Sequence, residues 1–188
     1  ERFIGALLTY SGFETQVDVI LNGNCVTHEI DVIAEKNNLV TIIECKFHSE
    51  EGRNCNVKIP LYIHSRYNDV KAHWESKKSE TKSLSDGWVV TNTRFTSDAL
   101  KYGKCASLYL LSWDYPLNDG IKDRIDRLGL YPITVSTILT NREKKFLLNR
   151  DVVLCRQLWK EKFLLDHLGV SNTRKVKILS EIEQLCNP

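Results

Sequence analysis

The sequence predicts an α/β fold: a mixed central β-sheet flanked by helices, followed by a small helical appendage. Three observations predict it. β-branched runs bounded by turn residues alternate with amphipathic stretches up to about residue 115; the pattern is helical after Pro116; and Gly129 and Gly169 each follow a Leu where a helix should close. A chain of 188 residues is long enough for one core domain of ordinary size plus an appendage. The reading divides it into a core domain over 1–138 and a helical subdomain over 139–188.

Each element has its own signal. Phe3-Ile4 and Leu7-Leu8 share one face of a helix, which Ser11-Gly12 ends. A strand over about 13–21 follows, and Asn22-Gly23 marks a hairpin turn. Runs 26–34 and 39–47, separated by Glu35-Lys36-Asn37-Asn38, read as an antiparallel hairpin. After a polar stretch over 48–59, Pro60 can open a helix through Tyr62, Tyr67, Val70 and Trp74 to near Ser85, closed by Asp86-Gly87. Trp88 to Thr91 is a short strand, Thr96-Ser97-Asp98 caps a helix through Tyr102, and Ala106 to Trp113 is a strand. Helices are expected over 117–128, 142–148, 152–168 and 173–185.

Composition excludes some classes. No run of 18 apolar residues interrupts a chain that is 42% hydrophobic and 27% charged, and no charged-then-apolar leader opens it, so a membrane span and a signal peptide are not expected. The six cysteines are scattered, without a CxxC pair, as in a cytoplasmic protein with reduced, mostly buried thiols. The chain opens inside an apolar pattern and contains no Met, which leads us to expect an upstream domain. Residues 141–188 carry 10 Lys and Arg against 6 Asp and Glu, while 1–140 carry 16 against 18. A basic tail fits an anionic partner, and equally an ordinary helical tail with surplus lysines.

The hairpin carries the chemistry. Across a four-residue turn the simplest register sets Asp31 opposite Ile42 and Glu29 opposite Glu44, so Glu29, Asp31, Glu44 and Lys46 share a face. Ile30, Val32, Ala34, Thr41, Ile43 and Cys45 then form the reverse, core face. Asp31 and Glu44 become diagonal neighbours, and opposed glutamates call for a cation. Carboxylate, carbonyl and water oxygens suit Mg²⁺ or Mn²⁺ rather than zinc, and Lys46 stands beside the ion to orient water or offset transition-state charge. The same spacing also fits a solvated charged face.

Other constellations are weaker. Cys25-x-x-His28 and Cys45-x-x-His48 imitate zinc spacing, but residues i and i+3 of a strand point to opposite faces, so four ligands do not converge. His28, His64, His73 and His167 have no Ser or Cys partner at interpretable spacing, and no phosphate-binding Gly-rich loop is present. Tyr62 and Tyr67 read as core residues.

His28-Glu29-Ile30-Asp31-Val32-Ile33-Ala34 followed by Ile42-Ile43-Glu44-Cys45-Lys46 resembles the D…(D/E)xK motif of the PD-(D/E)xK nuclease superfamily, in particular Mrr-like restriction endonucleases. Glu1 before the first apolar stripe, and the segment from Gly87 to Thr96 with Ala99 and Tyr102, are similar to flanking parts of such domains over about residues 1–115. The resemblance implies a restriction-endonuclease-like core and Mg²⁺-dependent hydrolysis of DNA phosphodiesters. Asp31 and Glu44 would be metal ligands, the Cys45 carbonyl a third, Lys46 the catalytic lysine and Glu1 an accessory acid. Glu44 stands where many Mrr-like enzymes have Gln, and the 48–59 stretch is atypical. A junction or repair nuclease on the same fold, and an inactive nucleic-acid-binding module, are the alternatives.

Arg53, Lys58, Arg66 and Lys71 flank the site and are candidates for phosphate contacts. Leu168-Gly169-Val170 resembles the hairpin of helix-hairpin-helix DNA-binding elements, with Arg174, Lys175 and Lys177 just beyond; an ordinary helical turn at Gly reads the same way. DNA is the expected partner, a homodimer is the default geometry for double-strand cuts, and the resemblance permits an upstream nucleotide-binding ATP-cone domain.

Overall fold

The computed structural model describes residues 1–50, 52–77 and 82–186. The chain divides into two compact units that part between Lys122 and Asp123.

The first unit is a five-stranded mixed sheet in the order β1-β2-β3-β4-β5 with helices against it. Its strands are β1 (Glu14–Asn22), β2 (Thr27–Lys36), β3 (Leu39–Lys46), β4 (Ser83–Thr91) and β5 (Tyr109–Leu111). β1, β2 and β3 pair antiparallel, whereas β3, β4 and β5 run parallel. The expected mixed α/β architecture with C-terminal helices is therefore present.

Helix α1 (Arg2–Tyr10) buries Ile4, Leu7 and Leu8, and lays Gly5 against Val17 and Val32 so closely that a Cβ would meet Val17 at 2.9 Å. Gly12 ends it at φ +86, which glycine adopts without steric cost. Helix α2 (Lys58–Ser76) covers a cluster in which Ile30, Val40, Ile42 and Leu84 meet Tyr67 and Val70. Ile30 thus belongs to the α2 side and not to the reverse face expected for it. Helix α3 (Ser97–Cys105), capped by Thr96, packs its Ala99 with Val89 and Leu110.

Two expectations change here. The turn between β2 and β3 is Asn37-Asn38 alone, at φ +54 and +63, the left-handed pair that a two-residue hairpin matching strand twist requires. The register consequently pairs Lys36 with Leu39 and Val32 with Ile43, two residues from the one expected; the even loop length preserves the parity of the faces. Second, α2 stops at Ser76 and the region around Asp86-Gly87 is strand. Residues 78–81 of the expected helix end lie outside the described residues. Gly87 sits inside β4 because Leu108 and the Tyr67 ring would lie only 3.0 Å from a Cβ there.

The second unit contains α4 (Ile121–Leu128) from Asp123 on, a 3-10 turn (Ile133–Val135), α5 (Asn141–Leu148), α6 (Cys155–Lys160), α7 (Leu164–His167) and α8 (Asn172–Cys186). Its core gathers Ile133, Leu147, Leu158, Leu165, Ile178 and Ile182. Ile133 and Leu139 belong to that core, so this unit begins earlier in the chain than the 138/139 division. The helix expected over 152–168 is two short ones. Val153 and Leu154 are extended, with the Val153 carbonyl accepting from Ile133 N–H at 2.8 Å. Gly129 and Gly169 close helices at φ +61 and +67. The cysteines are all unpaired; Cys55, Cys155 and Cys186 are buried, whereas Cys25 and Cys105 are exposed. Among the described residues no helix is long and apolar enough to cross a membrane.

Candidate active site

Asp31 lies where β2 lets go of both neighbours. The β1–β2 ladder runs from Glu14 opposite Glu35 to Asn22 opposite Thr27 but passes over Asp18 and Asp31, and Asp18 is left-handed at φ +57. The β2–β3 ladder ends at Val32 opposite Ile43. One step further, the register brings Asp31 level with Glu44. Here the Asp31 side chain replaces the missing backbone acceptor: its Oδ2 takes the Cys45 N–H at 2.6 Å. Because β3 continues in parallel pairing with β4 through Lys46 opposite Thr91, Glu44 sits on a firmly held strand end.

Glu44 is only 6% exposed. Its Oε1 accepts from Lys46 Nζ at 3.2 Å and from Arg66 Nη1 at 2.8 Å, and Arg66 also donates to the Glu29 carbonyl. Burial, followed by the nearby Asp31 charge, raises the Glu44 carboxyl above its ordinary range although Arg66 and Lys46 pull the other way. Two cations therefore do not fully offset what two carboxylates and desolvation impose. Asp31 and Glu44 share the wall of an open cavity of about 350 Å³ with Thr27, His28, Glu29, Tyr62 and Arg66.

The expected site residues come together only in part. Asp31, Glu44 and Lys46 do, as level and adjacent groups rather than diagonal ones. Glu29 does not face Glu44: it is exposed, pairs with Ile20 of β1, and contributes its carbonyl to Arg66. Glu1 stands at the start of α1 without a side-chain cap bond, and its charge reaches Cys45, whose thiol burial pushes up to about 12. Arg66 is not an open phosphate contact but a partner of Glu44. Arg53 and Lys58 are exposed; Arg53 lies 3.6 Å from Glu50, and Lys71 lies 3.8 Å from Glu75. Tyr67 is buried as expected, whereas Tyr62 is exposed on the cavity rim with the Arg66 guanidinium 5.6 Å from its ring centre.

The sequence also gave no hint that His28 Nε2 meets Asp69 Oδ2 at 2.7 Å. That bond, with N–H donors from Cys25 and Val26, holds Asp69 down to about 2 and pins the β1–β2 turn to α2. It also removes His28 from any zinc set, and among the described residues no three His, Cys, Asp or Glu side chains gather to hold a metal. An ion between Asp31 and Glu44 would need carbonyl and water oxygens for its remaining positions.

In the second unit Arg174 and Lys175 are committed internally. Arg174 donates to both Glu143 oxygens at 2.8 and 2.9 Å and to the Ile138 carbonyl, and Lys175 reaches both Asp166 oxygens at 2.6 Å. Of the three basic residues expected to touch DNA there, Lys177 is exposed.

Comparison with known proteins places these features in a family. The sequence is 34% identical over 182 residues to an uncharacterized protein of Archaeoglobus fulgidus, covering 95% of this chain and 97% of that one. Residues 131–186 match the model described as AF1548-like, C-terminal. The chain belongs to the AF1548-like family. The crystal structure of the protein of unknown function AF1548 superposes with a TM-score of 0.78 at 32% identity, covering 98% of this chain and 95% of that one. Can2 from Sulfobacillus thermosulfidooxidans, solved with cyclic tetra-adenylate, is similar over 57% of this chain and 30% of its own, at 19% identity and a TM-score of 0.41. None of these names speaks to Mrr-like nucleases.

Proposed function

We propose that the chain is a metal-dependent nuclease that hydrolyses DNA phosphodiester bonds, of the Mrr-like type, with Asp31, Glu44 and Lys46 as its working groups. The observation that supports this reading is that Asp31 and Glu44 meet on the wall of one open cavity, with Lys46 on the Glu44 carboxylate. Two carboxylates that remain under mutual repulsion suit a hard, oxygen-preferring cation such as Mg²⁺ or Mn²⁺, with the Cys45 carbonyl as a further ligand. Such an ion supplies Lewis-acid polarisation of a phosphoryl oxygen and lowers the pKa of water.

The protein's own groups do the rest. The Cys45 N–H fixes the Asp31 carboxylate, and Arg66 with Lys46 fixes the Glu44 rotamer. The Lys46 ammonium, half-buried beside Glu44, donates to a water or to a phosphoryl oxygen as negative charge builds there. Of the candidate phosphate contacts, Arg53, Lys58 and Lys177 are exposed.

The test is supercoiled plasmid with Mg²⁺ or Mn²⁺, beside Asp31→Ala and Lys46→Ala. Both substitutions are expected to slow nicking by on the order of 100-fold or more. Nicking equal to that of the unaltered protein contradicts the reading. One observation favours the second reading, a module that binds nucleic acid without cutting it: Lys46 and Arg66 balance Asp31 and Glu44 in formal charge without any added ion. Retained DNA binding with no cleavage by the unaltered protein is its signature.

A further inference from the structure

A second cavity, of about 420 Å³, opens just beyond the C-terminal ends of the parallel strands. Phe47 follows the last residue of β3, Asn92 follows the last residue of β4, and Trp113 lies two residues past β5. The carboxyl ends of parallel strands are where α/β sheets bind ligands, because side chains and loops from neighbouring strands converge there. Of its lining, the proposed cleavage reaction uses only Arg53, as a backbone-phosphate contact.

Its lining has a particular chemistry. Phe47 is 77% exposed and Trp113 44% exposed, and both stand on the wall of this one concavity with Arg53, Arg94 and His48. Single exposed aromatics are ordinary, but two around one concave site beside two guanidinium groups make a surface for a flat, anionic ligand. His48 Nε2 is shielded from solvent and has no hydrogen-bond partner. The arginines are not wholly idle: Arg94 Nε meets Asp114 at 2.6 Å, and Arg53 faces Glu50 at 3.6 Å. Both pairs are solvent-exposed, and such pairs exchange partners at little cost.

The walls are also held in place before any ligand arrives. The Asn92 side chain accepts from His48 N–H at 2.8 Å and donates to the His48 carbonyl at 2.9 Å, extending the β3–β4 pairing by a side-chain rung. At the other end of the loop, Cys55 N–H donates to the Arg94 carbonyl at 2.8 Å, and Thr96 N–H donates to the Cys55 carbonyl at 3.0 Å. Phe47 is the next residue in the chain after Lys46, the proposed catalytic lysine.

We propose that this trench binds an unpaired nucleotide of a single DNA strand, its base stacked on Phe47 and Trp113 and its phosphate met by Arg53 and Arg94. Bases of an intact duplex are stacked on each other and cannot offer a face to the two aromatics, so the favoured substrate carries a single-stranded stretch beside the cut. This substrate class rests on the nuclease reading for its role in cleavage, but the binding itself does not.

The test separates the two. Fluorescence anisotropy of the full chain in EDTA, where a metal-dependent nuclease cannot cut, compares a labelled oligo-dT with a duplex of equal length. The single strand is expected to bind at least about ten-fold more tightly, and Phe47→Ala to weaken it roughly ten-fold while leaving duplex binding unchanged. Phe47→Trp should restore affinity, and Trp113→Phe should keep it, which excludes loss by misfolding. Equal affinity for both forms, no binding of either, or affinity indifferent to Phe47→Ala overturns the proposal. Duplex nicking that persists in that case leaves the nuclease reading standing. Conversely, single-strand binding without any cleavage upholds the trench and removes the nuclease.

Discussion

Glu44 and Glu143 are both buried glutamates paired with an arginine, one in each unit, yet the protein holds them in opposite ways. Glu143 receives both Arg174 nitrogens, one on each oxygen, and closes a capping box in which its side chain accepts the Thr140 N–H while Thr140 accepts its own. These donors hold its carboxyl down to about 2. Glu44 has two cations on one oxygen and a second carboxylate facing it, and burial first, then that carboxylate, raises its carboxyl. A structural ion pair satisfies its anion with donors on both oxygens; Glu44 has its donors on one oxygen and sits desolvated beside a second carboxylate, which disfavours its charge.

Stability should separate the two glutamates most clearly. Glu143→Ala removes the Glu143 half of the capping box and leaves Arg174 without its carboxylate, so it should cost about 2 kcal/mol in denaturant melts. Glu44→Gln keeps an acceptor for Arg66 and removes the repulsion with Asp31, so it should stay within about 0.5 kcal/mol of the unaltered protein, or exceed it. Equal losses would break the comparison.

A smaller effect is expected in acid. The Glu143 contribution is complete above its ordinary value near 4.5 and is lost as pH falls from there toward about 2. Glu44 has the opposite sign: its contribution is complete below 4.5 and is lost as pH rises through its raised value. Thermal melts should therefore show Glu143→Gln losing less than the unaltered protein on acidification, and Glu44→Gln losing less on going from acid to neutral pH. The reverse pattern would assign the roles the other way round.

How much of this could be read from the residues follows from range. The common side of Asp31, Glu44 and Lys46 was legible because parity survives any even loop, and turns of two and four residues both satisfy it. The register was not, although Asn37-Asn38 carried the clue: two residues tolerant of positive φ favour the tight turn. Thr140-Asn141-Arg142-Glu143 is likewise a capping-box string whose meaning is local. Arg66 on Glu44 and Arg174 on Glu143 were out of reach, since each pairing depends on how a helix packs against a distant segment, and a basic residue looks alike whether it awaits a phosphate or holds a carboxylate. The loss of Arg174 and Lys175 from the candidate DNA contacts has that cause.

The central claim is that the Asp31–Glu44 pair keeps its charge for a divalent cation. Calorimetric titration with Mn²⁺ tests it without reference to any substrate. One site is expected in the unaltered protein, lost in Asp31→Asn and in Glu44→Gln, and kept in Glu143→Gln. Mn²⁺ binding that survives both substitutions in the first unit, or no binding at all, would contradict it.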